Sequence, residues 1–176
     1  MAQHITRGGT YYRVCDPSWS DPRDTSFSKR RGGRWNPAGA FGALYLNASI
    51  AVAALNAHRA LAREFGTAIG LADVRPEQRP DLQTFTITHH AFVDAVTGGG
   101  LLDLGLPATY PDAVTHGETH AVARTLYAAD EAGIAARSAV VATEEELAIF
   151  DSHIALARRK ASGRVPFGAW YPGLVP

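Results

Sequence analysis

The sequence predicts an α+β fold. Three observations carry this. Short β-prone runs recur, as in "TYYRVCD" (10–16) and "ALYLN" (43–47). Two long helical patterns lie at 49–66 and 117–133. Strands and helices follow one another without strict β-α-β alternation, which favours an α+β architecture.

Taken in order, 10–16 is aromatic and β-branched and reads as a strand. Residues 17–33, rich in Pro, Asp, Ser and Gly, read as a long loop of the kind that often carries function. "ALYLN" reads as a buried strand. The helix 49–66 is capped by Ser49, ends at Gly66 and carries an apolar stripe of Ile50, Ala54, Ala57 and Leu61. Residues 67–83 hold two of the prolines and read as a connection, and 84–96 has the composition of one or two strands. "TGGGLLDLGLP" (97–107) gives a turn and an apolar segment, and the helix 117–133 closes at Gly133. Strands at 134–142 and 146–151 flank a turn in which Glu144, Glu145 and Glu146 read as solvated. The chain of 176 residues is expected to form a single domain over 1–176, with its core at about 11–150 and an irregular tail at about 160–176.

Composition narrows the function classes. Apolar residues make up 46% and charged residues 19%, the balance of a globular chain rather than a disordered one. The net charge is zero, which argues against a surface devoted to nucleic acid. The single cysteine, Cys15, permits neither an internal disulfide nor a multi-thiolate zinc site. With no signal-peptide core and no apolar run of spanning length, a cytoplasmic location and no membrane partner are expected.

The most pointed stretch is "SKRRGGRWNPAGAFGALYL" (28–46). Lys29, Arg30, Arg31 and Arg34 flank Gly32 and Gly33. Glycines admit close backbone approach and amides that face an anion, and arginine offers a forked donor for phosphate. Trp35 offers a flat face for a ring, or a core anchor. The pattern is neither a Walker loop nor G-x-G-x-x-G. His89 and His90 would face opposite sides of a strand, and His116 and His120 lack a clear third ligand, so no metal is expected. Ser138 sits in a buried strand pattern, where a hydroxyl bonded to backbone is the plain alternative.

The order of features resembles the RES domain, the toxin half of a bacterial toxin–antitoxin pair. Tyr12-Arg13 in a first strand precedes a loop ending in Gly-Gly-Arg-Trp-Asn-Pro (32–37); Tyr45-Leu46, a serine-started helix and a later Gly133-Ile134…Ser138 strand follow. The resemblance implies an ADP-ribosyltransferase-like mixed β-core flanked by helices around an NAD cleft. It implies NAD as the substrate, consumed by hydrolysis, phosphorolysis or ADP-ribose transfer. It also implies an antitoxin partner, often with a DNA-binding module, and leaves homo-oligomerisation open. By position, the family's arginine is Arg13, Tyr45 belongs to the strand after the glycine motif, and Ser138 is the serine. The expected NAD-binding set is Arg13, Arg31, Gly33, Arg34, Trp35 and Asn36; the expected catalytic set is Arg13, Tyr45, Asn56 and Ser138.

Asn56 is a departure, because the resemblance places a glutamate there. An amide accepts a hydrogen bond from a ribose hydroxyl but supplies no negative charge beside an oxocarbenium-like ribose. Glu64 lies more than two helical turns away, and Glu118 could approach from the second helix. An active NAD-consuming enzyme is therefore set against a RES-like pseudoenzyme that binds nucleotide or antitoxin without turnover. The second alternative is an RNA-binding module that uses the basic loop 29–35.

Overall fold

The computed structural model describes residues 2–66, 73–141, 143–165 and 167–171. Among these, a mixed sheet of six strands forms the core: β1 (His4–Cys15), β2 (Ala43–Asn47), β3 (Asp81–Ala95), β4 (Gly133–Arg137), β5 (Glu145–Phe150) and β6 (Ala157–Val165). The helices are α1 (Ser26–Arg31), α2 (Ile50–Phe65), α3 (Gly98–Asp103), α4 (His116–Ala128) and α5 (Phe167–Trp170).

β1 pairs antiparallel with β3 along most of its length and touches β2 at Tyr12↔Asn47. β2 continues to β5, β5 to β4, and β4 runs parallel to the end of β3. The pairings therefore return to β1, and β6 adds antiparallel to β3. Side chains alternate across this sheet, so each face has its own core. Leu44, Leu46, Leu147 and Ile149 pack with Phe85 and Phe92 on one side. Ala43, Ala148 and Phe150 pack with Trp35, Phe41, Tyr110 and Leu126 on the other.

α2 starts where its cap predicts: the Ser49 side chain accepts from the Val52 amide, worth about 1 kcal/mol. It stops at Gly66 in the left-handed conformation. Its buried face differs from the expected stripe. Val52, Ala53 and Ala54 are buried while Ile50 is exposed, because the helix lies over β1 and packs against Leu82, Trp170 and Tyr171.

Other elements correct the sequence reading. The loop 17–33 contains α1. Residues 84–95 belong to one long strand that opens at Asp81, and "GGGLLD" is helical, capped by Thr97. The second helix ends at Ala128, and Gly133 opens β4 instead of closing α4. The tail is not irregular throughout, since β6 pairs with β3 through Leu82↔Val165. Part of the 67–83 connection (67–72) and the chain end (172–176) lie outside the described residues. No described helix is long and apolar enough to cross a membrane.

Candidate functional site

A cleft of about 560 Å³ opens between β1, the Gly32–Arg34 turn, α2 and the start of β5. Its size suits a nucleotide-scale ligand.

The glycine turn is built around Tyr45. A Cβ at Gly33 would lie 2.7 Å from the Tyr45 ring, so glycine is required for this close approach. The Tyr45 hydroxyl donates to Asn36 Oδ1 and accepts from the Trp35 amide, each at 2.8 Å. Burial, with Glu146 nearby, pushes this hydroxyl well above the ordinary tyrosine range, so it stays a neutral donor. The Gly32 amide bonds Ser28 O and the Gly33 amide bonds Asn36 O. These backbone donors are thus engaged within the turn, and its capacity for an anion resides in the Arg34 side chain. Arg34 Nη1 is buried and has no hydrogen-bond partner among the described residues. The Arg34 backbone is anchored from the far side by Thr119 Oγ1, and His120 bonds Gly33 O at 2.7 Å.

Two expected ligand residues serve the scaffold. Trp35 is 2% exposed and packs on Tyr110 at 5.7 Å, so it is a core anchor and not a stacking platform. Asn36 is fully buried, its amide donating to Ser28 O and Phe41 O. Arg31 is exposed on α1 over Phe27 and is not part of the cleft wall.

Arg13 lines the cleft, but its guanidinium is buried. Nη1 donates to Pro22 O at 2.6 Å, both Nη atoms reach Asp24 O at 3.3 Å, and Trp19 stacks on it at 5.1 Å. Arg13 therefore holds the loop that carries Trp19 to the cleft, and Trp19 pairs there with Phe27. Arg13→Ala strands both carbonyls, and we expect a loss of about 2–4 kcal/mol in a denaturant melt together with weakened ligand binding. Lys at this position offers no fork for two carbonyls and is expected to recover little of it.

Asn56 and Ser138 meet at a carboxylate that the sequence reading assigned to a solvated turn. Ser138 Oγ donates to Glu146 Oε1 at 2.7 Å, and Asn56 Nδ2 donates to the same oxygen at 3.0 Å. Asn56 Nδ2 also donates to Asn47 Oδ1 at 2.8 Å. Glu145, one residue earlier, turns to the other face and pairs with Arg7. Period-2 alternation in β5 is the one sequence signal for this split, and it is readable only once the strand start is known. Glu118 does not approach the cleft; it closes the N-terminal capping box of α4 with Thr115.

The rim adds Arg59, Arg63 and His116, none of which the sequence reading selected. Partial desolvation, then Arg34, His120, Arg63 and Arg59, hold the His116 imidazole below the usual histidine range. Among the described residues no group of three or more His, Cys, Asp or Glu is arranged to hold a metal ion.

A mixed sheet flanked by helices, with a cleft walled in part by charged side chains where the glycine turn meets β5, defines the class of the protein. The sequence matches the RES domain over residues 10–168, and the chain belongs to that family. Among solved structures it is similar to one described as "Crystal structure of the M.tuberculosis MbcT-MbcA toxin-antitoxin complex", with 22% identity and a TM-score of 0.76, covering 96% of this chain and 91% of that one. At that identity the likeness is one of fold. No curated protein matches.

Proposed function

We propose that this chain is a RES toxin that binds NAD in the cleft and breaks its nicotinamide–ribose bond, passing the ADP-ribose to water, phosphate or a protein. The observation that carries this reading is the polarity of the cleft. Arg34, whose Nη1 has no hydrogen-bond partner among the described residues, and the Glu146 carboxylate line the same cleft as Tyr45. A forked cation suits the pyrophosphate, and an anion suits the ribose as positive charge develops on it. Tyr45 and the Trp19–Phe27 pair give flat faces for nicotinamide and adenine. The family and the toxin–antitoxin neighbour support a toxin role with an antitoxin partner.

A second reading, binding without turnover, is favoured by Asn56 where the resemblance places a glutamate. Titration of the purified chain with NAD and with carba-NAD, which has no cleavable glycosidic bond, tests both. We expect both to bind, and NAD alone to disappear. Binding of both with NAD intact selects the pseudoenzyme; binding of neither contradicts both.

His116 makes this binding pH-dependent. Partial desolvation is the first cause of the lowered His116 pKa, and Arg34, His120, Arg63 and Arg59 are the next. A phosphate at the rim offsets that second part, so the pKa is expected to rise on binding with uptake of a proton. NAD affinity is expected to increase as pH falls through the bound-state pKa and to level off below the free-state one. A calorimetric titration in buffers of different ionisation enthalpy reads this uptake, and His116→Gln removes it.

A further inference from the structure

Resting on the NAD reading above, we infer that Glu146, at the start of β5, supplies the negative charge for bond cleavage, and that Asn56 and Ser138 are its positioning residues. Glu146 stands opposite Asn47 in the β2–β5 register and lines the cleft. Its Oε1 receives two donors, Ser138 Oγ and Asn56 Nδ2. None of the hydrogen bonds among the described residues engages Oε2, which leaves that oxygen for a ligand. Asn56 is fixed as a donor here, since its Nδ2 bridges Asn47 Oδ1 and Glu146 Oε1. A glutamate at position 56 would lose both donations and set a second carboxylate against the first. The amide at 56 and the acid at 146 are thus complementary. The amide on helix α2 and the carboxylate at the start of strand β5 face the same cleft.

In the reaction, the ribose C1′–N bond breaks and its electron pair leaves on the nicotinamide nitrogen, which becomes neutral. The ring oxygen shares a lone pair with C1′, and Glu146 faces the resulting oxocarbenium. An oxygen of water or inorganic phosphate then forms the new C1′–O bond. When water attacks, its proton goes to bulk solvent. Glu146 remains a carboxylate throughout.

The test compares wild type with Glu146→Gln, which keeps shape and removes charge. Nicotinamide release is expected to fall roughly 10²–10³-fold, with NAD affinity changed far less. The exchange Asn56→Glu/Glu146→Gln is expected to recover part of that loss. Ser138→Ala, which leaves the carboxylate in place, is expected to lower kcat about tenfold at unchanged KM, whereas a purely structural role would move KM and melting temperature together. A readout independent of turnover is binding of a cationic iminoribitol, whose ring ammonium mimics the oxocarbenium. Wild type is expected to bind it about tenfold or more tightly than Glu146→Gln. Equal affinities, no iminoribitol binding by wild type, or wild-type turnover in Glu146→Gln would each overturn the assignment. If wild type binds iminoribitol in a Glu146-dependent way but leaves NAD intact, the turnover reading fails while the role of Glu146 as the cleft's anion stands.

Discussion

Arg34→Ala is expected to weaken NAD binding by roughly a hundredfold, the loss of about 2–3 kcal/mol of charge-assisted hydrogen bonding. It is expected to leave the fold at least as stable as wild type. The asymmetry comes from the state of the side chain. Arg34 Nη1 is buried with no hydrogen-bond partner among the described residues, so its removal strands no described acceptor and relieves an uncompensated burial. The main chain of the turn is held by other bonds, from Thr119 Oγ1 to Arg34 O and from the Gly33 amide to Asn36 O, which truncation leaves in place. The Tyr110 ring, 5.9 Å from the guanidinium, loses a cation–π neighbour of minor worth. Lys at this position keeps charge without the fork and should fall between the two. Calorimetric titration alongside a thermal melt reads both halves. Unchanged affinity would place the pyrophosphate elsewhere, with Arg59 and Arg63 the next cations on the wall.

Gly133→Ala is expected to destabilise the protein by about 3 kcal/mol or more, a fall of roughly 6–12 °C in Tm. Gly133 opens β4 at φ 146, which side chains rarely adopt. An added Cβ would sit on the Ala148 carbonyl oxygen and 2.9 Å from Ile149 Cα. Both obstacles are backbone atoms of β5, the strand that carries Glu146, so relief would require moving the strand. Gly105 offers the control. It has φ 69, but a Cβ there meets nothing within 4 Å, so Gly105→Ala should cost only the strain of about 1 kcal/mol. Denaturant melts of the two variants separate collision from conformation. Equal losses would mean that β5 yields at little cost.

Much of the local structure was legible because local signals agree with the fold. "ALYLN" is a strand over the residues its pattern marked, since it is buried on both faces. Ser49 and Gly66 bracket α2 because capping chemistry is written within one turn of chain. Gly133 misled in a way its residue type invites: glycine both ends helices and permits close strand approach, and only packing against Ala148 decides which. The apolar stripe of α2 is displaced because the helix packs on β1 and shares a core cluster with Leu82, Trp170 and Tyr171, contacts no periodicity reveals.

At the site, the glycine-rich motif pointed to the right place for partly the wrong reasons. Gly33 is there for the Tyr45 ring, and Trp35 and Asn36 secure the turn from beneath. Asn56 and Ser138, far apart in sequence, lie together and are joined by the Glu146 carboxylate. Glu144, Glu145 and Glu146 look alike in sequence. Register gives them three environments: the Glu144 carbonyl accepts from Ser138 N, the Glu145 side chain pairs with Arg7, and the Glu146 side chain enters the cleft. Trp19 and Phe27 were hidden in a polar loop that becomes a wall only when Arg13 gathers its carbonyls.

The measurement that bears most directly on the central claim is nicotinamide release from NAD by the purified chain, followed by proton NMR with and without inorganic phosphate. The account predicts that free nicotinamide appears in step with loss of NAD, and that the partner product identifies the acceptor as water or phosphate. NAD that binds the cleft yet remains whole over many hours, with either acceptor at high concentration and with a protein acceptor mixture present, would contradict it.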